Sequence, residues 1–142
     1  MVCRNDGGHI IINPRVKVAT RQELSPKLAI ELMRLTIVAG SAMTTALIKL
    51  GVDIGRINYQ DNGNWAVFLP EGPILHIHLY GRAKNAIHQK YGDACFFPQR
   101  GIDNSYYKDF KPLNYQDAVA IKEDINNLLK TESFSDKEWG LT

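Results

Sequence analysis

Two imidazoles separated by a single residue stand in the stretch PILHIHLYGRA, residues 73–83. Leu75, Ile77 and Leu79 occupy one parity; His76, His78 and Tyr80 occupy the other. Alternation at period two marks a half-buried strand. It sets both imidazoles on one face, with Cβ atoms roughly 6 to 7 Å apart. Such a pair has three possible uses. It can be an ordinary half-exposed strand face that happens to carry histidines. It can supply two metal ligands, since imidazole is the commonest metal ligand. Further ligands would then come from His9, Cys95 or Asp93, none of which stands at a telling spacing. The third use is phosphoryl chemistry: a neutral imidazole is a good nucleophile near neutral pH, and its neighbour can stabilise charge on phosphate oxygens. A nucleophilic imidazole needs one nitrogen free and the other hydrogen-bonded, so that its tautomer is fixed. A carbonyl of a nearby strand would serve.

The elements that must position this pair can be read from local signals. Residues 5–8, NDGG, signal a turn, and HIIIN after them reads as a short buried strand ended by Pro14. Residues 15–24 read as a connecting loop. Ser25 before Pro26 is a good helix cap followed by a residue suited to the first helical position. Leu28, Leu32, Leu35, Ala39, Ala42, Ala46 and Leu50 then form a helical stripe, closed by Gly51. Asn62-Gly63 is a strong hairpin signal, so strands are expected at about 54–60 and 64–69. The histidine strand is expected over about 74–80, ended by Gly81. Residues 83–112 read as ordered loop pressed on the domain. Asn114 can cap a last helix over about 115–130, with Ala118, Ile121, Ile125 and Leu128 as its stripe. Residues 131–142 read as a frayed tail. A strand, a long helix, an antiparallel meander and a helical extension make an α+β fold: a sheet of about four to five strands with the long helix on one face.

The bulk numbers bound the class. The chain has 142 residues, which favours one domain able to bury a real core without staples. Apolar residues make up 44% and charged residues 23%, ordinary values for a soluble globular protein. Net charge is +2, with the basic residues scattered, so there is no electrostatic footprint for a nucleic-acid duplex. No uninterrupted apolar run approaches the roughly 18 residues that a membrane span needs. No charged-then-apolar leader opens the sequence, and Cys3 and Cys95 form no CxxC pair, so both are expected as reduced thiols in the cytoplasm.

Four stretches in order, GGHIIINPRVKV, ELSPKLAIELMRL, INYQDNGNWAV and HIHLYGR, resemble the histidine-triad (HIT) superfamily. That family reads Gly-His, apolar strand, Pro and basic residues; then a helix opened by Leu-Ser-Pro; then an Asn-bearing strand; then His-φ-His-φ-His-φ-φ, where φ is apolar. The likeness covers about residues 7–82, leaving 83–142 as a carboxy-terminal extension packed on the same domain.

The resemblance implies a nucleotide-binding protein. The middle histidine of the triad attacks the α-phosphate of a nucleotide, and water or another acceptor takes the nucleotidyl group from it. Substrates would be nucleoside monophosphate esters or amidates, or dinucleoside polyphosphates, with no metal or other cofactor. Aligning the family's closing His-φ-φ-x-Arg on residues 78–82 makes His76 the nucleophile and His78 the donor to a phosphate oxygen. Asn58 falls on the family's phosphate-touching asparagine and His9 on the histidine of its Gly-His pair. Arg82 would face the ligand, while Gly7 and Gly8 serve turn geometry, and Trp65 and Tyr80 are packing or rim residues. The sequence also departs from the family. Ile74 stands at the first triad position, FLPEGP lacks the small polar residues that help protonate the leaving group, and Lys17 replaces a loop histidine. Only six residues precede Gly7, so the base and ribose pocket is expected from the extension, from a partner chain, or from a natural chain that starts earlier. The alternatives are a catalytically impaired binding or interaction protein of the same fold, and the metal site. A homodimer is expected through the long helix, where residues 39–42 are small, and an exposed sheet edge.

Overall fold

A computed structural model describes residues 1–61, 66–98 and 105–142. Its regular elements run β1 (His9–Ile12), α1 (Pro26–Lys49), β2 (Ile54–Asp61), β3 (Ile77–Ala83) and α2 (Tyr115–Leu128). The fold is α+β. Among the described residues the sheet has three strands in the order β1-β3-β2, with β3 antiparallel to both neighbours.

α1 starts where the sequence predicts. Pro26 fills the first position, Ser25 Oγ accepts the Leu28 N–H at 3.4 Å, and Gly51 closes the helix at a φ of 86°. Its buried face centres on Ala39, Ala42, Met43, Ala46 and Leu47, packed on Ile54, Ile57, Ile77 and Leu79 of the sheet. Burying each larger side chain contributes about 1.5–3 kcal/mol. The expected stripe is therefore right at its centre and wrong at Leu35 and Leu50, which are exposed, because the sheet meets the next helical row, Met43 and Leu47. By length and composition alone α1 is apolar enough to cross a membrane, a property that core helices share.

The sheet departs from the expected four to five strands. Residues 66–69 form a turn rather than a strand, with Phe68 exposed. The Asn62-Gly63 turn and Trp65 lie outside the described residues. β2 pairs along its length with β3, from Ile54↔Ala83 to Asp61↔Ile77, and β1 holds the other edge of β3, so no edge of the central strand is left for an extra hairpin partner. Nor does Gly81 end its strand. β3 runs through it to Ala83, because a Cβ at Gly81 would collide with the Gly7 carbonyl and only glycine lets the two backbones meet.

α2 begins at Asn114, whose side chain accepts the Asp117 N–H at 3.0 Å while Asp117 accepts the Asn114 N–H at 2.8 Å. Asp117 is fully buried and also takes both Nε and Nη2 of Arg4, at 2.7 and 2.8 Å. Burial pushes its carboxyl up, but the Arg4 and Asn114 hydrogen bonds and the Arg4 charge outweigh this and hold it below its ordinary value. Ile121 joins the core of α1 and the sheet, with Ile125 and Leu128 packed against it, whereas Ala118 is exposed. Residues 131–142 are not a frayed tail: Arg34 binds Asp136 at 2.6 Å, Trp139 Nε1 donates to the Ser133 carbonyl at 2.9 Å, and Leu141 is buried.

Candidate functional site at the histidine face of the sheet

The alternation in β3 does what the sequence implies. Ile77 and Leu79 point to α1 and are buried, while His78 stands half-buried on the opposite face. Residues directly opposite on antiparallel strands share a face. His78 is flanked by Ile11 and Gln60, and Tyr80 by His9 and Asn58. His76 sits one residue before β3, also half-buried, its ring edge-on to that of His78 with centroids 4.6 Å apart.

Each imidazole has one nitrogen assigned. His76 Nδ1 lies 2.7 Å from the Ile74 carbonyl, which can only accept, so Nδ1 carries the proton and Nε2 keeps its lone pair. The backbone oxygen of Ile74 thus fixes the tautomer of His76. His78 Nδ1 lies 2.8 Å from His9 Nε2, one donating and the other accepting. If His9 donates, His78 is left with its proton on Nε2, as a hydrogen-bond donor. Tyr80 stacks on His78 at 5.3 Å and 9°, and meets Phe97 at 5.1 Å with the rings tilted by 41°. Tyr80 is buried, in its expected packing role.

Burial, reinforced by the neighbouring His78, lowers the His9 imidazole to about 4. Burial and then His76 lower His78 as well. Both are neutral at pH 7. The sign of the linkage follows: the unfolded chain takes up a proton at His9 near its ordinary value and the folded protein only near 4. The stabilisation is therefore present above about 6.5 and is lost as pH falls toward 4. Discounted for partial exposure, the loss is roughly 1–2 kcal/mol. Urea unfolding of the native chain and of His9→Gln across this window is expected to show a flatter profile for the variant. Parallel profiles would contradict it.

Asn58 and Arg82 converge elsewhere. Asn58 Nδ2 is 3.9 Å and Arg82 Nη1 is 3.2 Å from Cys95 Sγ. Arg82 is buried, its Nη2 donating to the carbonyls of Lys90 and Asp93 at 2.7 and 2.8 Å. The candidate metal ligands are likewise divided, His9 with His78 and Cys95 with Arg82. Among the described residues no group of three or more His, Cys, Asp or Glu could hold a metal ion.

A second polar centre escaped the sequence reading. Asp6 is buried and accepts the backbone N–H groups of Ile87, His88 and Gln89 at 2.9, 3.1 and 3.2 Å, and lies 3.0 Å from His88 Nδ1. It fastens the turn before β1 to the exit of β3 and so fixes the strand that carries His9. The only local signal was NDGG, which reads as a turn. Comparison with protein-family models, curated proteins and solved structures gives no match to this chain.

Proposed function

We propose that the protein is a nucleotide-binding phosphoryl-transfer enzyme of histidine-triad type, with His76 as nucleophile. One observation carries this reading: Nδ1 of His76 is held by a carbonyl, leaving a lone pair on Nε2 beside a second imidazole. Nε2 attacks the α-phosphorus, the bond to the leaving group breaks, and the leaving group takes its proton from solvent because the loop FLPEGP, residues 68–73, offers no serine or threonine. With His9 as the donor in their shared bond, His78 carries its proton on Nε2 and donates it to a non-bridging oxygen as charge builds. Water or another acceptor then displaces the nucleotide. Substrates are nucleoside monophosphate esters or amidates or dinucleoside polyphosphates, and the setting is cytoplasmic. Arg82, buried and bonded to loop carbonyls and Cys95, takes no part in the step, and Asn58 stands with it at the border of the face. The test is turnover of adenosine 5′-phosphoramidate by the purified chain. Release of AMP supports the reading, and AMP binding without release favours the second reading, a non-catalytic binding protein, to which Ile74 at the first triad position lends support.

A homodimer belongs to the same proposal, but not through the small residues 39–42, since Ala39, Gly40 and Ala42 are buried within the chain itself. Among the described residues β2 has an unpaired outer edge, and beside it lies a groove of about 400 Å³ lined by Leu24, Leu32, Met33, Ile37, Tyr59 and Ile77. Light scattering is expected to give twice the chain mass for the native protein and a monomer for Met33→Glu. A monomeric native chain would contradict it.

A further inference from the structure

Arg82 is a permanent cation with 3% exposure, and among the described residues no carboxylate pairs with it. Its Nη2 is satisfied by carbonyls, its Nε has no partner, and Nη1 reaches only the sulfur of Cys95, a weak acceptor. A buried charge without an anion is costly. Among the described residues, the one group touching this guanidinium that can become an anion by simple chemistry is the thiol. Cys95 is half-buried, hence within reach of a small solute, whereas Cys3, the other free thiol, is buried. The loop that carries Cys95 is held in place by Gln89, whose Nε2 donates to the Phe96 carbonyl at 2.6 Å and whose Oε1 accepts the Phe96 N–H at 2.9 Å.

We propose that Cys95 is a modification site, oxidised by hydroperoxides to a sulfinate that serves as the counter-ion of Arg82. In the first step the sulfur attacks the distal peroxide oxygen and the O–O bond breaks. The thiol proton ends on the departing alkoxide or hydroxide, giving sulfenic acid and an alcohol or water. A second hydroperoxide transfers another oxygen in the same way, and the sulfinic acid loses its proton to water. Sulfur is oxidised by two electrons in each step and the peroxide reduced by two. The product places charged oxygens against Nη1, with the Asn58 amide as a second donor 3.9 Å from the sulfur. Phe97, two residues on, packs on Tyr80 beside the histidines, so the modified side chain borders the candidate site without belonging to its chemistry.

The test does not depend on nucleotide turnover. The purified full chain is treated with increasing hydrogen peroxide and digested, and the two cysteine peptides are followed by mass spectrometry. The two-oxygen adduct is expected on Cys95 at peroxide levels about tenfold below those that modify Cys3, with the preference lost in Arg82→Gln. Equal oxidation of the two thiols, or an unreactive Cys95, would overturn the proposal. Because Arg82→Gln removes a buried group and can unfold the chain, a second pair avoids it. Cys95→Asp carries the same charge as the sulfinate and is expected to melt above both Cys95→Asn and the native chain; an Asp variant melting at or below the Asn variant would also overturn the proposal.

Discussion

Replacing His76 with alanine is expected to lower turnover of a nucleoside phosphoramidate or phosphate ester by on the order of 10⁴-fold or more, the scale of losing a covalent nucleophile. Stability should change by less than about 1 kcal/mol, because the ring is half-buried and its hydrogen bond is to a carbonyl that water can satisfy. His78→Ala should cost about 10²–10³-fold, as for one donor to a developing oxyanion. The separation between the two variants matters more than either value. A nucleophile and a charge-stabilising neighbour cannot be exchanged, since of these two imidazoles it is His76 whose Nδ1 is tied to a pure acceptor. Steady-state rates at saturating substrate, with melting curves for the same preparations, check both halves. Equal losses in the two variants would assign the imidazoles a shared binding role instead.

Asp6→Ala should be the most destabilising change near the site, by about 3–5 kcal/mol. The carboxylate takes three consecutive backbone N–H groups and the His88 ring while almost wholly buried, so its removal orphans donors that water reaches poorly. Asp6→Asn should recover only part of this, because an amide has one acceptor oxygen where the carboxylate has two. Urea unfolding measures both. The damage should reach the histidine face too, since Gly7 and Gly8 join Asp6 directly to His9. A loss below about 1 kcal/mol for Asp6→Ala would show that the turn is held by other contacts.

Local chemistry was legible in the sequence, and long-range chemistry was not. α1 could be read because its cap, its proline, its 3.6-residue stripe and its terminal glycine all lie within one segment. The histidine face could be read because alternation is also local, and β3 needs no partner to put His78 and Tyr80 on one side. Pairing was another matter. Asn62-Gly63 favours a tight hairpin, yet β2 pairs across a longer connection with β3, a choice made by burial of Ile57, Ile77 and Leu79 against α1 rather than by turn propensity. Gly81 has the composition of a strand end and the function of a close backbone contact, and only the position of Gly7 distinguishes the two. Asp6, Gln89, Arg82 and Asp117 are buried polar residues, of types usually exposed, and nothing beside them in sequence announces their partners. Within the site, Ile74 was visible as an apolar residue two positions before His76. That its backbone oxygen orients His76 was not, because a carbonyl has no signature in the residue type.

The most direct measurement is the mapping of a covalent adduct on His76. The native chain is mixed briefly with adenosine 5′-phosphoramidate, quenched in base to preserve phosphorus–nitrogen bonds, digested and analysed by mass spectrometry. We expect one adenylyl group on the peptide containing His76, located on that residue and lost in His76→Ala. AMP release with no adduct on His76, or an adduct on another residue that survives His76→Ala, would contradict the assignment of the nucleophile.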